Sequence, residues 1–129
     1  MSNRDVPFRP SSARALVAGD LVGVPTNDGR WACLQVVEVR PNSRTTFYVA
    51  LLDWRGHEPP TVEAVSGAKV IKVAMTRIDL FTEGLLEITA VGSRVDQKAR
   101  AEIHDNSVGS HHRVWGWRAA IQNAGGIPR

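Results

Sequence analysis

The chain has 129 residues, of which 43% are hydrophobic and 22% charged, and this length and composition are typical of one globular domain. Its formal charge is +3, from 16 basic and 13 acidic side chains, and no segment is the long basic run that follows a phosphate backbone. No apolar run approaches the ~20 residues of a membrane helix. Charges interrupt the N-terminal region, where a secretory signal would be apolar. The single cysteine cannot form an internal disulfide. We therefore expect a cytoplasmic domain without membrane contact.

The hydrophobic pattern predicts strands rather than helices along most of the chain. Residues 1–18 are expected to form a flexible tail, because prolines and serines interrupt any regular period. A single β-rich domain is expected over residues 19–122, followed by a C-terminal tail over residues 123–129. Apolar and β-branched runs between turn formers predict five strands, the first three of them a meander, at residues 20–25, 31–40, 45–54, 69–73 and 85–91.

The segments between these runs carry turn and loop signals. Asp28-Gly29 predicts the first turn, and Pro59-Pro60 predicts that the middle loop crosses the surface. Residues 76–84 resemble a bend, residues 95–104 are compatible with a helix, and residues 114–121 fit a final strand or a short helix. The expected fold is mainly β: a small, strongly bent antiparallel sheet or an SH3-like barrel, with at most one short helix.

The sequence contains no motif that indicates catalysis or metal binding. The adjacent His111 and His112 would point to opposite sides of a strand, and neither the other histidines, His57 and His104, nor paired cysteines complete a zinc pattern. Cys33 lies in a predicted strand, where cysteine usually behaves as a small hydrophobic residue. A nucleophile elbow and a phosphate-binding glycine motif are both absent. We therefore expect no catalytic residue, no metal and no cofactor.

The four tryptophans are the most informative side chains. Trp31 and Trp54 are expected in the core. Trp115 and Trp117 are separated by one glycine, so they would share a face of an extended segment. This pair either belongs to the core or forms a stacking or protein-contact platform with the neighbouring arginines.

One pattern of residues resembles a known family. The segment GDLVGVPTNDGRWACLQVVEV, followed by TFYVALLDWRG, resembles the immunity protein 26 family of bacterial polymorphic-toxin systems. The matching positions are Gly19, Asp20, Pro25, Gly29, Arg30 and Trp31. The late VWGW, at residues 114–117, is similar to the aromatic–Gly–aromatic element towards the end of such proteins. The resemblance covers residues 18–57 and 113–118.

This resemblance implies an intracellular, β-rich and non-catalytic protein that binds and neutralises a cognate toxin, delivered by a competing cell or made by its own. Immunity proteins against nucleases often present acidic surfaces. Here only the middle segment, residues 45–93, has an acidic balance, with six acidic and four basic side chains. A nuclease target would therefore be contacted through that segment.

The same opening also resembles the small barrel of MazF-type toxins, in which an arginine follows the first turn. Arg30 would be that arginine, and this alternative implies RNA binding or cleavage. The Arg-Pro pair expected there is Arg30-Trp31 in this chain. A third class, a non-catalytic nucleic-acid-binding barrel, would use Trp115, Trp117 and scattered arginines.

We predict one partner-binding surface, because tryptophan and arginine are enriched among interface hot spots. It combines the end of the third strand with the aromatic segment near the C-terminus. Its residues are Trp54, Arg55, His57, Trp115, Trp117 and Arg118.

Overall fold

The structure, a computed structural model, describes residues 5–104 and 113–127 and is built around one six-stranded sheet. This confirms the prediction of a mainly β fold. The strands are β1 (Leu21–Pro25), β2 (Trp31–Val39), β3 (Thr46–Gly56), β4 (Val70–Arg77), β5 (Glu87–Ala90) and β6 (Arg113–Val114).

The strand order across the sheet is β5-β1-β2-β3-β4-β6. The predicted meander is present, because β1 to β4 pair in sequence as antiparallel neighbours, and β5 adds antiparallel to β1. The sheet differs from the expected purely antiparallel one at one edge, where β6 runs parallel to β4. A parallel neighbour requires a long crossover, which the chain between β4 and β6 supplies. Within the described ranges the edge strands β5 and β6 do not pair, so the sheet is open rather than a closed barrel.

Strand pairing in this sheet is irregular at several positions. The register shifts between Leu21 and Val22 on β1, and again between Leu51 and Leu52 on β3. Such a bulge adds a residue to one strand, which increases the local twist and curvature. Register shifts of this kind favour the strong bending that the sequence predicts.

Helical segments are short but more numerous than the single one expected. The helices are α1 (Val62–Val65), α2 (Asp79–Thr82), α3 (Gln97–His104) and α4 (Trp117–Asn123). Helices of four residues are too short to show a hydrophobic period, which is why α1 and α2 fall in a predicted loop and a predicted bend. The expected helix near residues 95–104 is confirmed as α3. None of the helices within the described ranges is long and apolar enough to cross a membrane.

Both faces of the central strands are buried. On β2, Leu34 and Val36 belong to a core covered by α2 and α4, whereas Cys33 and Val37 belong to a core covered by α1 and α3. We call these the α4 face and the α3 face of the sheet. A strand buried on both sides reads as a continuous apolar run, which explains the sequence WACLQVV.

Part of the N-terminal segment expected to be a flexible tail is packed against the domain. Ala13 and Leu16 are buried in the α4-face core, and the Ala13 amide donates to the Arg44 carbonyl at 2.7 Å. Phe8 exchanges two backbone hydrogen bonds with Ile88 of β5, at 3.1 and 2.8 Å. The open edge of β5 offers backbone partners to this segment, so it needs no periodic pattern of its own.

The expected C-terminal tail at residues 123–129 also begins with packed residues. Ala124 and Gly126 are buried, and the Gly125 carbonyl accepts a hydrogen bond from the Asn27 amide at 3.0 Å. The chain after α4 therefore covers the turn between β1 and β2.

Replacing Leu16 tests whether the N-terminal segment contributes to the core. We expect Leu16→Ala to lower the free energy of unfolding in urea by about 2–4 kcal/mol, because it leaves a cavity in the α4-face core. Val17→Ala is the matched control, since Val17 is 51% exposed. Equal effects of the two substitutions would show that residue 16 belongs to a tail.

Candidate functional site

A concave apolar site of about 210 Å³ lies on the α3 face of the sheet, where the C-terminal end of β1 meets the N-terminal ends of β2 and β5. We call it the Trp31 groove. Its lining residues are Pro7, Gly23, Pro25, Trp31, Pro59, Leu85, Leu86, Glu87 and Thr89.

A glycine in β1 creates the floor of the Trp31 groove. A Cβ at Gly23 would lie 3.1 Å from ring carbons of Trp31 and 2.8 Å from the Thr89 methyl group. The indole ring therefore lies directly over the β1 backbone, and any side chain at position 23 would require Thr89 or Trp31 to shift. The sequence predicts Trp31 in the core, but the structure leaves its side chain half-buried.

The middle loop forms one wall of the groove. Thr89 on β5 donates its hydroxyl hydrogen bond to the Pro60 carbonyl at 2.9 Å, which fixes the loop across the α3 face. Pro59 is exposed and lines the groove beside this anchor. The predicted surface loop is thus confirmed, and it also shapes a concave site.

Leu85 on the rim has an unfavourable backbone conformation. Its φ is +59°, in the left-handed region, and its side chain is 37% exposed. The preceding Gly84 packs closely, since a Cβ there would lie 2.6 Å from the Leu80 carbonyl oxygen and 3.1 Å from a ring carbon of Trp117. Leu85 itself adopts the left-handed conformation after α2, and Arg9 donates to its carbonyl at 3.0 Å. A leucine in this conformation costs about 1–2 kcal/mol relative to the right-handed region.

A network of charged and polar groups fixes the turn between β1 and β2, next to Trp31. Asp28 accepts hydrogen bonds from the Thr26 hydroxyl and from Arg30 Nε and Nη2, the last two at 2.9 and 2.7 Å. These hydrogen bonds, that from Thr26 first, hold the pKa of the Asp28 carboxyl well below its usual range. The guanidinium of Arg30, the residue of the MazF-like alternative, is thus bound to Asp28.

The structure places residues of the predicted surface on both faces of the sheet. Trp54 and Arg55 are consecutive on β3, so their side chains lie on opposite faces. Trp54 packs against the α3-face core, whereas the Arg55 guanidinium lies against Gly125 after α4. His57 is exposed beyond the end of β3.

The aromatic pair near the C-terminus is also divided. Trp115 is only 7% exposed and belongs to the α4-face core, which was the alternative position expected for it. Gly116 precedes α4, and Trp117 is the first residue of this helix. The rings of Trp115 and Trp117 therefore do not share one face of an extended segment. Trp117 is half-buried, and Arg118 lies over its ring at 4.6 Å.

The residues considered for catalysis and metal binding have the following positions. Cys33 is fully buried, and burial raises the pKa of its thiol to about 12. His104 is the last residue of α3, whereas His111 and His112 lie outside the described residues. Across residues 5–104 and 113–127, no three His, Cys, Asp or Glu residues form a group that could hold a metal ion.

A second, larger cavity of about 580 Å³ lies on the same face between α1 and the start of α3. Its buried Gln35 donates from Nε2 to the Ser93 hydroxyl at 2.7 Å and to the Arg94 carbonyl at 3.0 Å. Ser93 in turn donates to the Gly19 carbonyl at 2.6 Å. These bonds attach the segment before α3 to the sheet, which is a structural role.

Comparison with known proteins adds no relative to this description. No family model, no curated protein and no solved structure matches the chain. Functional arguments therefore depend on the motifs of the sequence and on the geometry of the Trp31 groove.

Removing the Asp28 charge should weaken the turn in a pH-dependent way. A carboxyl whose folded pKa is lowered stabilises the fold above its unfolded pKa, about 3.9, and loses this effect as the pH falls towards the folded value. We expect Asp28→Asn to unfold at lower urea concentration than the wild type at pH 7, with the difference shrinking below pH ~4. Asp53→Asn, at an exposed position on β3, is the control. A difference that stays constant down to pH ~2 would contradict the proposed network.

Proposed function

We propose that this chain is a non-catalytic immunity protein that binds a cognate bacterial toxin and neutralises it, with the Trp31 groove as its principal contact. The motif around Gly19 and Trp31, which resembles the immunity protein 26 family, supports the class of function. The same segment builds the groove, since Gly23 and Trp31 both lie within it. Sequence motif and concave site therefore coincide in one part of the molecule.

The conformation of Leu85 is the observation that carries this proposal. An exposed left-handed position favours glycine or asparagine, so a leucine there costs stability without a compensating contact in the core. Residues held in unfavourable backbone conformations are concentrated at binding and active sites. Leu85 and the half-buried Trp31 together present apolar surface to the groove, as expected of a protein-binding hot spot.

Two further observations favour binding over catalysis. The thiol of Cys33 is buried and its pKa is raised to about 12, so it stays protonated at neutral pH and is a poor nucleophile. The Arg30 guanidinium is engaged by Asp28 in two hydrogen bonds, which lowers its capacity to bind a phosphate. A cytoplasmic location is part of the proposal, since it follows from the family resemblance.

A stability measurement tests whether Leu85 is retained for folding. We expect Leu85→Gly to change the free energy of unfolding by less than about 1 kcal/mol, because relief of the left-handed conformation offsets the lost side chain and the flexibility of glycine. Leu86→Ala should cost about 2–4 kcal/mol, because Leu86 is only 6% exposed. If both variants lose the same stability in urea, Leu85 is a packing residue.

Binding to the toxin encoded beside the gene tests the function itself. We expect calorimetry to show a tight complex that Leu85→Gly weakens at least about tenfold, as truncation of a hot-spot residue does. Arg118→Ala, in the surface predicted from the sequence, should change the affinity by less than about twofold.

The same experiment separates this function from nucleic-acid binding. Absence of toxin binding, together with RNA binding that weakens steeply as salt rises, would replace the proposal with the RNA-binding alternative. Equal binding by Leu85→Gly and the wild type would move the contact away from the Trp31 groove.

A further inference from the structure

The Trp31 groove contains one charged side chain. Among its lining residues only Glu87 is ionisable at neutral pH, and the others are apolar or, for Thr89, already hydrogen-bonded. Glu87 is the register partner of Gly23, so its side chain projects on the same face as the Trp31 ring. It is half-buried. None of the ion pairs among the described residues includes Glu87. The nearby Arg9 donates instead to the Leu85 carbonyl.

This arrangement selects the chemistry of the occupant. A purely apolar group that filled the groove would remove water from the Glu87 carboxylate without replacing its hydrogen bonds, which is unfavourable. An acidic group would be repelled. A lysine or arginine side chain combines an apolar stem with a cationic end, and such side chains lie well against an indole ring.

The size of the groove indicates a single side chain rather than a free small molecule. Its volume is about 210 Å³, whereas small-molecule sites usually have about 300–1,000 Å³. One long side chain of a partner protein fits this space. Glu87 also lies in the acidic middle segment of the chain, residues 45–93.

We propose that the Trp31 groove binds a lysine or arginine side chain on the surface of the partner protein, with the aliphatic stem between Trp31 and Leu85 and the cation at Glu87. This inference rests on the proposed function, because it names the chemistry that the toxin presents. It makes Glu87 the specificity-determining residue of the groove. Trp31 and Leu85 supply the apolar contact.

Titration with small probes tests this specificity on the intact protein. N-acetyl-arginine methylamide should shift the indole N–H signal of Trp31 in a ¹⁵N-labelled sample, with the signal identified by its loss in Trp31→Phe. N-acetyl-norvaline methylamide has the same three-carbon stem without the charged group, and we expect it to bind at least about fivefold more weakly. Glu87→Gln should abolish this difference, whereas Glu63→Gln, at an exposed position on α1, should preserve it.

Equal binding of the two probes, or a preference that survives in Glu87→Gln, would overturn the inference. A lack of any shift at the Trp31 signal would overturn it as well. Because glutamine keeps the shape of glutamate, a thermal unfolding curve of Glu87→Gln that matches the wild type assigns any loss of preference to the charge.

Measurements on the toxin complex separate the two proposals. We expect Glu87→Gln to weaken toxin binding at least about tenfold and to reduce its salt dependence, because a charge-assisted contact is lost. If Leu85→Gly weakens binding and Glu87→Gln does not, the proposed function stands and the basic occupant is wrong. If the arginine probe is preferred but no toxin binds, the specificity of the groove stands and the immunity function is wrong.

Discussion

Burial of the central strands on both faces is the constraint on which the rest of this structure depends. Strands β2 and β3 are apolar on each side, so the chain must cover two faces of one sheet with fewer than 130 residues. It does so with four short helices, the packed segment around Ala13, and the turn after α4. Covering segments this short leave gaps. The Trp31 groove and the larger cavity beside Gln35 both lie on the α3 face, where the middle loop and α3 cover the sheet incompletely.

The parts of the fold that were predictable from the sequence are those with local signals. Asp28-Gly29 marks the first turn, where Gly29 has φ +81°, and Pro25 ends β1 as expected of a residue that lacks an N–H. Strand pairing between sequence neighbours then follows. The parallel pairing of β6, the burial of Leu16 and the helix α2 could not be predicted, because each depends on contacts with residues that are distant along the chain.

In the candidate site, too, the sequence indicates single residues but not the distant residues that they contact. Trp31 was recognised as informative, but its partners Pro7 and Leu85 are separated from it by many residues and meet it only because β5 pairs with β1. Leu85, with its left-handed conformation, follows Gly84, which packs closely against α4, and no local pattern reveals either feature. Trp115 was placed in the predicted surface, but Gly116 turns the chain into α4 and leaves that ring in the core.

The surroundings of Trp117 and of Trp31 differ in whether the indole ring already has its contacts within the protein. Trp117 packs against the α4-face core and lies under the guanidinium of Arg118, so an incoming group would have to displace an existing contact. Trp31 instead lies on the bare backbone of Gly23, beside a leucine in an unfavourable conformation. The nearby carboxylate of Glu87 takes part in none of the ion pairs among the described residues. Departures from the locally favourable choice are expected where function outweighs stability. Three such departures share one groove on the α3 face, and a partner that supplies an apolar stem and a positive charge would satisfy the apolar surface and the carboxylate together.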